Sequence, residues 1–222
     1  MKITEYGKDT VRRVLAVSLV IIAASFFIQI QEIRFILTIT VVLLLLFTLY
    51  FFRDPDRNLP EGISEKTVIS PADGKVVLID DTENKYEDFL GNTGIKQVSI
   101  FLSPLNVHVN CFPVNGTLKY YNYIKGNYIV AFDHKSSERN ERTELGIETT
   151  EGKKLIFKQI AGFVARRIVC KVRLGEEVKA GTKFGMIKFG SRVDILIPSD
   201  TVIRVKIGDK VIAGVSIIAE LT

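Results

Sequence analysis

The chain has 222 residues, 47% of them hydrophobic, enough for one or two domains with cores of ordinary size. Its net charge is +5, but six basic and three acidic residues lie up to Arg53, so residues 54–222 carry 24 basic and 22 acidic side chains, a balance that argues against a nucleic-acid groove. Cys111 and Cys170 follow no metal-ligand spacing and read as buried free thiols of a reducing cytoplasm, and no metal site is expected.

The mean hydropathy of +0.22 comes from the N-terminal quarter. Residues 14–28 and 35–52 are two uncharged apolar runs separated by a polar stretch from Gln29 to Arg34. The second run has 18 residues, so a helix at about 1.5 Å per residue reaches about 27 Å, close to the hydrocarbon thickness of a bilayer. The first is shorter, so it either spans with help from snorkelling flanks or forms one arm of a hairpin embedded in one leaflet. Lys2, Lys8, Arg12, Arg13, Arg53 and Arg57 flank the pair on one side and only Arg34 lies between the runs, which places both ends in the cytoplasm. The expectation is a membrane-anchoring helical hairpin over residues 1–53 at the cell membrane, followed by a catalytic domain on the cytoplasmic side.

Residues 53–62, R-D-P-D-R-N-L-P-E-G, read as a linker, and a second domain is expected over 54–222. From Val68 on, the runs T-V-I-S, K-V-V-L-I, Q-V-S-I-F-L, T-L-K-Y-Y and K-L-I-F-K-Q-I alternate with Gly, Asn, Asp and Pro, so this domain is mainly β. An internal repeat follows. Residues 172–181, V-R-L-G-E-E-V-K-A-G, return 33 residues later as V-K-I-G-D-K-V-I-A-G, predicting two similar β-hairpins. The pattern resembles the repeated halves of lipoyl and biotinyl barrel-sandwich domains, and S-P-A-D-G-K-V, F-P-V-N-G-T-L and I-P-S-D-T-V-I resemble their strand starts. That resemblance puts Ser191 at the exposed tip of the hairpin joining the halves.

Three stretches carry candidate chemistry: S-P-A-D-G-K-V with Asp73, F-L-S-P-L-N-V-H-V-N with His108, and F-G-S-R-V-D with Ser191. A serine hydroxyl needs a base to take its proton, and an imidazole is a better base when a carboxylate steadies its charged form. Each stretch alone is equally a turn, a surface histidine or a Gly-Ser loop, and spacing does not bring them together. A membrane-tethered carrier or adaptor and a serine hydrolase fit the same residues.

Together with F-F-R-D-P at residues 51–55, N-E-R at 140–142, Q-I-A-G-F-V-A-R-R-I-V at 159–169 and I-P at 197–198, these stretches resemble the short form of the phosphatidylserine decarboxylase family, whose relatives include archaetidylserine decarboxylases. The tetrapeptide here is F-G-S-R where longer relatives have L-G-S-T, and Cys111 stands where relatives often have a basic residue. The resemblance implies a proenzyme that cuts itself between Gly190 and Ser191, with Asp73, His108 and Ser191 as the processing triad. Ser191 would become a pyruvoyl group, a covalent cofactor that replaces pyridoxal phosphate, needs no metal, and forms a Schiff base with the lipid serine. Chains 1–190 and 191–222 would stay associated. His108 is the candidate proton donor in decarboxylation. Arg166, Arg167 and Arg192 are candidates for the lipid phosphate, beside Lys75, Arg139 and Arg142, and His134 receives no role. The implied product is an ethanolamine phospholipid plus CO2. The partners are the phospholipid and the membrane and not nucleic acid, and the sequence leaves open whether the chain is a homo-oligomer.

Overall fold

An uncharged run removed from water satisfies its backbone polar groups most simply as a helix. The computed structural model, which describes residues 2–126, 140–162, 167–188 and 191–222, begins with α1 (Lys8–Ser25) and α2 (Gln31–Phe51). The polar stretch expected between them is mostly absorbed into the first turn of α2, which leaves a five-residue connection at 26–30. The helices pack on each other, with Ser25 Oγ 3.5 Å from Thr38 Oγ1. Their outer ends are tied where Thr4 N–H donates to Phe52 O at 2.9 Å and Asp54 N–H to Lys2 O at 2.8 Å. Val17, Leu19, Phe35 and Leu43 remain largely exposed, a surface suited to lipid. Among the described residues α2 alone is long and apolar enough to cross a bilayer. The chain divides into two compact units, Met1–Pro55 and Asp56–Thr222.

The second unit is β-rich. Its strands are β1 (Thr67–Ile69), β2 (Gly74–Thr82), β3 (Ile95–Leu102), β4 (Val109–Cys111), β5 (Gly116–Ile124), β6 (Arg142–Glu148), β7 (Lys154–Ala161), β8 (Arg167–Cys170), β9 (Glu177–Val178), β10 (Lys183–Lys188), β11 (Ser191–Pro198), β12 (Val202–Ile203), β13 (Lys210–Val211) and β14 (Ile217–Glu220). A short helix, α3 (Glu87–Leu90), lies between β2 and β3. Eight strands form one curled sheet in the order β13-β2-β3-β11-β7-β6-β5-β9, with two three-stranded sheets, β1-β14-β12 and β4-β10-β8.

This order reads as two equivalent halves, related by a pseudo-twofold that passes between β11 and β7. Thr67, Val68 and Ile69 oppose Glu220, Ala219 and Ile217, as Val109, Asn110 and Cys111 oppose Met186, Gly185 and Lys183, and each pairing carries a register shift. The repeat seen in the sequence forms matching turns. Gly208 N–H donates to Val76 O at 2.8 Å and Gly175 N–H to Leu118 O at 2.7 Å. Both glycines have positive φ, 101° and 87°, which a side chain would disfavour. The halves meet reciprocally, Ile69 N–H donating to Pro113 O and Cys111 N–H to Pro71 O.

The core lies between the curled sheet and the two small ones. Val98, Ile100, Leu102, Leu145, Phe157, Val193, Ile195 and Ile197 face Phe112, Phe184, Ile187 and Ile218. Phe184 is the hub of an aromatic group, 4.9 Å from Phe112 and 5.5 Å from Phe157 between ring centroids.

This arrangement corrects the placement of Ser191. β10 and β11 do not pair with each other: β10 lies between β4 and β8, and β11 between β3 and β7. Ser191 is the fully buried first residue of a central strand and not an exposed hairpin tip. The alternating apolar residues Val193, Ile195 and Ile197 need partners in the large sheet, and β11 is accordingly in a different sheet from β10.

Candidate functional site

Ser191 sits opposite Leu102 of β3 on one side and Ala161 of β7 on the other. It therefore stands beside the end of β3, from which the segment Ser103 to His108 leaves, and beside the end of β7. Ser191 Oγ is buried and has no hydrogen-bond partner among the described residues. Such a hydroxyl carries a desolvation cost that an ordinary turn serine avoids in water.

His108 is fully buried, one residue before β4. The preceding turn is closed by Asn106, whose Oδ1 accepts from Ser103 N–H at 2.9 Å and whose carbonyl lies 3.0 Å from His108 Nδ1. A carbonyl only accepts, so Nδ1 carries the proton and Nε2 presents its lone pair. A polar chain through the core shows which end of the unit His108 shares with Ser191. Thr143 Oγ1 donates to Gln159 Oε1 at 2.8 Å, and Gln159 Nε2 donates to Asn110 Oδ1 at 2.8 Å. His108 lies two residues before Asn110, just ahead of β4, and Ala161, the neighbour of Ser191, lies two residues after Gln159 on β7. His108 O also accepts from Ile187 N–H at 3.3 Å, four residues before Ser191.

Asp73 is also buried, but its carboxylate is engaged elsewhere. Arg57 Nη1 donates to Oδ1 at 2.5 Å and Nη2 to Oδ2 at 2.8 Å, and Oδ1 also accepts from Ala213 N–H at 2.9 Å. A direct Asp73–His108 hydrogen bond, as the triad pattern predicts, is not what the structure shows. Cys111 lies near this pair, and burial pushes its thiol up to about 12, with Arg57 and Asp73 acting in opposite directions. Burial likewise pushes Cys170 up to about 12, and both thiols stay neutral at physiological pH.

The basic candidates separate. Arg192 follows Ser191 and so points to the opposite face of β11. It is buried there, its Nε 2.6 Å from Asp194 Oδ1 and its Nη2 2.7 Å from Ser99 Oγ, and it is not presented to a phosphate. Arg142 pairs with Glu144 at 2.8 Å. Burial raises the Glu144 carboxyl, and hydrogen bonds from Arg142 and Tyr86 outweigh it, so the net direction is down. Arg167 is exposed and directly opposite Lys188, three residues before Ser191. Lys75 is exposed on β2. Arg166, Arg139, His134 and Gly190 lie outside the described residues.

Two parts of the site have structural roles that the sequence reading did not assign. Arg57 appeared only as one of the flanking basic residues, although its pairing with Asp73 is tertiary. The N-E-R stretch docks on the neighbour of Ser191, with Asn140 Nδ2 donating to Ala161 O at 2.7 Å and Ala161 N–H to Glu141 O at 2.9 Å. Its only sequence signal was the motif itself. Among the described residues no group of histidine, cysteine or carboxylate side chains is placed to hold a metal ion.

A family profile described as phosphatidylserine decarboxylase matches residues 44–219. A phosphatidylserine decarboxylase proenzyme of Chlorobium limicola is 44% identical, covering 98% of this chain and 99% of its own length. Similar proteins of the same name occur in Chlorobium phaeovibrioides, 48% identical over 98% of this chain and 96% of its own, and in Chlorobaculum tepidum, 44% identical over 99% and 98%.

Proposed function

The chain belongs to the phosphatidylserine decarboxylase family, and from that premise we propose that Ser191 is the precursor of its pyruvoyl group and His108 the base that starts self-processing. The enzyme is a carboxy-lyase that converts phosphatidylserine to phosphatidylethanolamine and CO2 by pyruvoyl-dependent chemistry. The observation that carries the site assignment is the buried Ser191 Oγ, without a hydrogen-bond partner among the described residues, between the ends of β3 and β7.

Nε2 of His108 accepts the Ser191 hydroxyl proton as Oγ attacks the Gly190 carbonyl carbon. The C–N bond breaks, the Ser191 nitrogen takes the proton, and an ester joins the two residues. Loss of the Ser191 Cα proton expels the Gly190 carboxylate and leaves dehydroalanine, whose imine tautomer takes up water and releases ammonia. A small residue at the buried start of β11 fits the resulting group. Once formed, the pyruvoyl carbonyl is an electron sink for the carbanion left when CO2 departs. His108 then holds a proton for that carbon, and Arg167 with Lys188 faces the lipid phosphate. Arg192 serves the fold.

Chains 1–190 and 191–222 stay together because β11 is paired along both edges by β3 and β7, β13 pairs with β2, and β14 pairs with β1. The protein is membrane-associated through its apolar helical unit. With basic residues at both outer ends of the hairpin, the decarboxylase unit lies on the cytoplasmic side. A swinging-arm carrier would need an exposed lysine where Ser191 is buried.

The test is CO2 release from serine-labelled phosphatidylserine in vesicles by wild type and Ser191→Ala. Release by wild type and none by the variant is expected. Equal release by both would remove Ser191 from the chemistry. A parallel assay with archaetidylserine vesicles reads the preference for lipid core.

A further inference from the structure

The pseudo-twofold supplies an internal control for Asp73. Its equivalent in the other half is Asn115, which also follows a Pro-headed turn and precedes a strand glycine. Ala213 N–H donates to Asp73 Oδ1 at 2.9 Å, and its equivalent, Ala180 N–H, donates to Asn115 Oδ1 at 2.9 Å. The fold therefore needs a side-chain oxygen at this position, and a neutral amide supplies it. The charge on Asp73 answers a different need.

The two positions also differ in their second partner. Asn115 Nδ2 donates to Glu65 at 3.1 Å near the surface. Asp73 instead meets the guanidinium of Arg57, which holds both its oxygens and also donates to Ala213 O at 3.0 Å. Arg57, Asp73 and Ala213 thus form a closed ring around a buried carboxylate, side-chain exposures being 19% for Arg57 and 11% for Asp73. An unpaired carboxylate at such a site would rotate toward solvent.

We propose that Arg57 is a positioning residue for self-processing, holding the Asp73 carboxylate immobile in a turn that lies beside the strand following His108, where the Pro71 carbonyl accepts from Cys111 N–H at 3.1 Å. This rests on the roles given above to Ser191 and His108. His108 Nδ1 already faces the Asn106 carbonyl, so Asp73 shares no proton with it, and the part Arg57 plays is to set where the carboxylate oxygens stand. The groups facing Asp73 are Arg57, the Ala213 N–H and the neutral Cys111 thiol, and Arg57 alone fixes the direction of both carboxylate oxygens.

The experiment follows the rate of chain cleavage in full-length protein after synthesis, by gel and intact mass. Arg57→Ala is expected to cleave at least about tenfold more slowly than wild type. Arg57→Lys should recover part of the rate, and added methylguanidinium should restore cleavage to Arg57→Ala but not to the double variant Arg57→Ala with Asp73→Asn. The double variant should fold, since Asn115 shows that an asparagine satisfies the turn, and thermal unfolding checks this. Wild-type cleavage in Arg57→Ala overturns the proposal, as does slow cleavage that neither lysine nor methylguanidinium improves. An active wild-type protein that is never cut would overturn the assignment of Ser191 as well, which separates the two failures.

Discussion

The two halves of the β-rich unit share strand order, register shifts and turn hydrogen bonds, yet the proposed reactive residues occupy only one of each pair of equivalent positions. His108 corresponds to Lys66, since His108 O accepts from Ile187 N–H as Lys66 O accepts from Leu221 N–H. Ser191 of β11 corresponds to Lys153 at the start of β7, and Asp73 to Asn115. At each position the first residue of the pair is buried, while Lys66 is exposed and Lys153 half-buried. The lesson is that the fold tolerates either residue type, so the agreements between the halves mark the fold and the departures from symmetry are where the proposed chemistry is placed.

The largest effect should come from breaking the comparison at its most unequal pair. His108→Ala is expected to lower cleavage rate by about 10²- to 10⁴-fold, the usual contribution of a positioned base, while Lys66→Ala leaves it unchanged. Gel analysis of both reads this directly, and equal behaviour would erase the distinction between the halves.

Next comes Arg192, whose counterpart Lys154 is half-buried and lies 5.4 Å from the Phe89 ring centroid. Arg192→Ala leaves Asp194 charged in the interior and should cost about 3–5 kcal/mol in denaturant unfolding. Lys154→Ala should cost under about 1 kcal/mol. A smaller effect tests the neutral half: Asn115→Asp places a carboxylate beside Glu65 and should destabilise by about 1 kcal/mol without slowing cleavage.

The smallest effect is in the pH dependence. Glu144 is lowered in the folded state, so its contribution is present above the ordinary carboxylate value of 4.5 and is lost as pH falls through the folded value. Melting temperature should therefore drop below about pH 4.5, and Glu144→Gln should flatten that drop.

Much of this was legible in the sequence. The runs at T-V-I-S, K-V-V-L-I and K-L-I-F-K-Q-I are β1, β2 and β7, because alternating apolar residues with turn signals define a strand whatever its partner. The repeat is real in the turns at Gly175 and Gly208. What spacing could not supply was pairing. Ser191 was expected on a hairpin tip because the repeat resembles lipoyl and biotinyl barrels, whose halves are joined there, whereas burial of Val193 and Ile195 selects β3 and β7. Arg192 was a phosphate candidate for its charge alone, and its Asp194 partner two residues on lies on the same face of an extended strand. The Arg57–Asp73 pair joins residues 16 apart through the turn before β2, and nothing local announces it.

The central claim is that the asymmetry at Ser191 ends in a broken chain. Intact-mass analysis of the purified wild-type protein tests it most directly. Two associated chains are predicted, divided between 190 and 191, the smaller starting with a pyruvoyl group in place of serine. A single active chain with the mass of all 222 residues would contradict it.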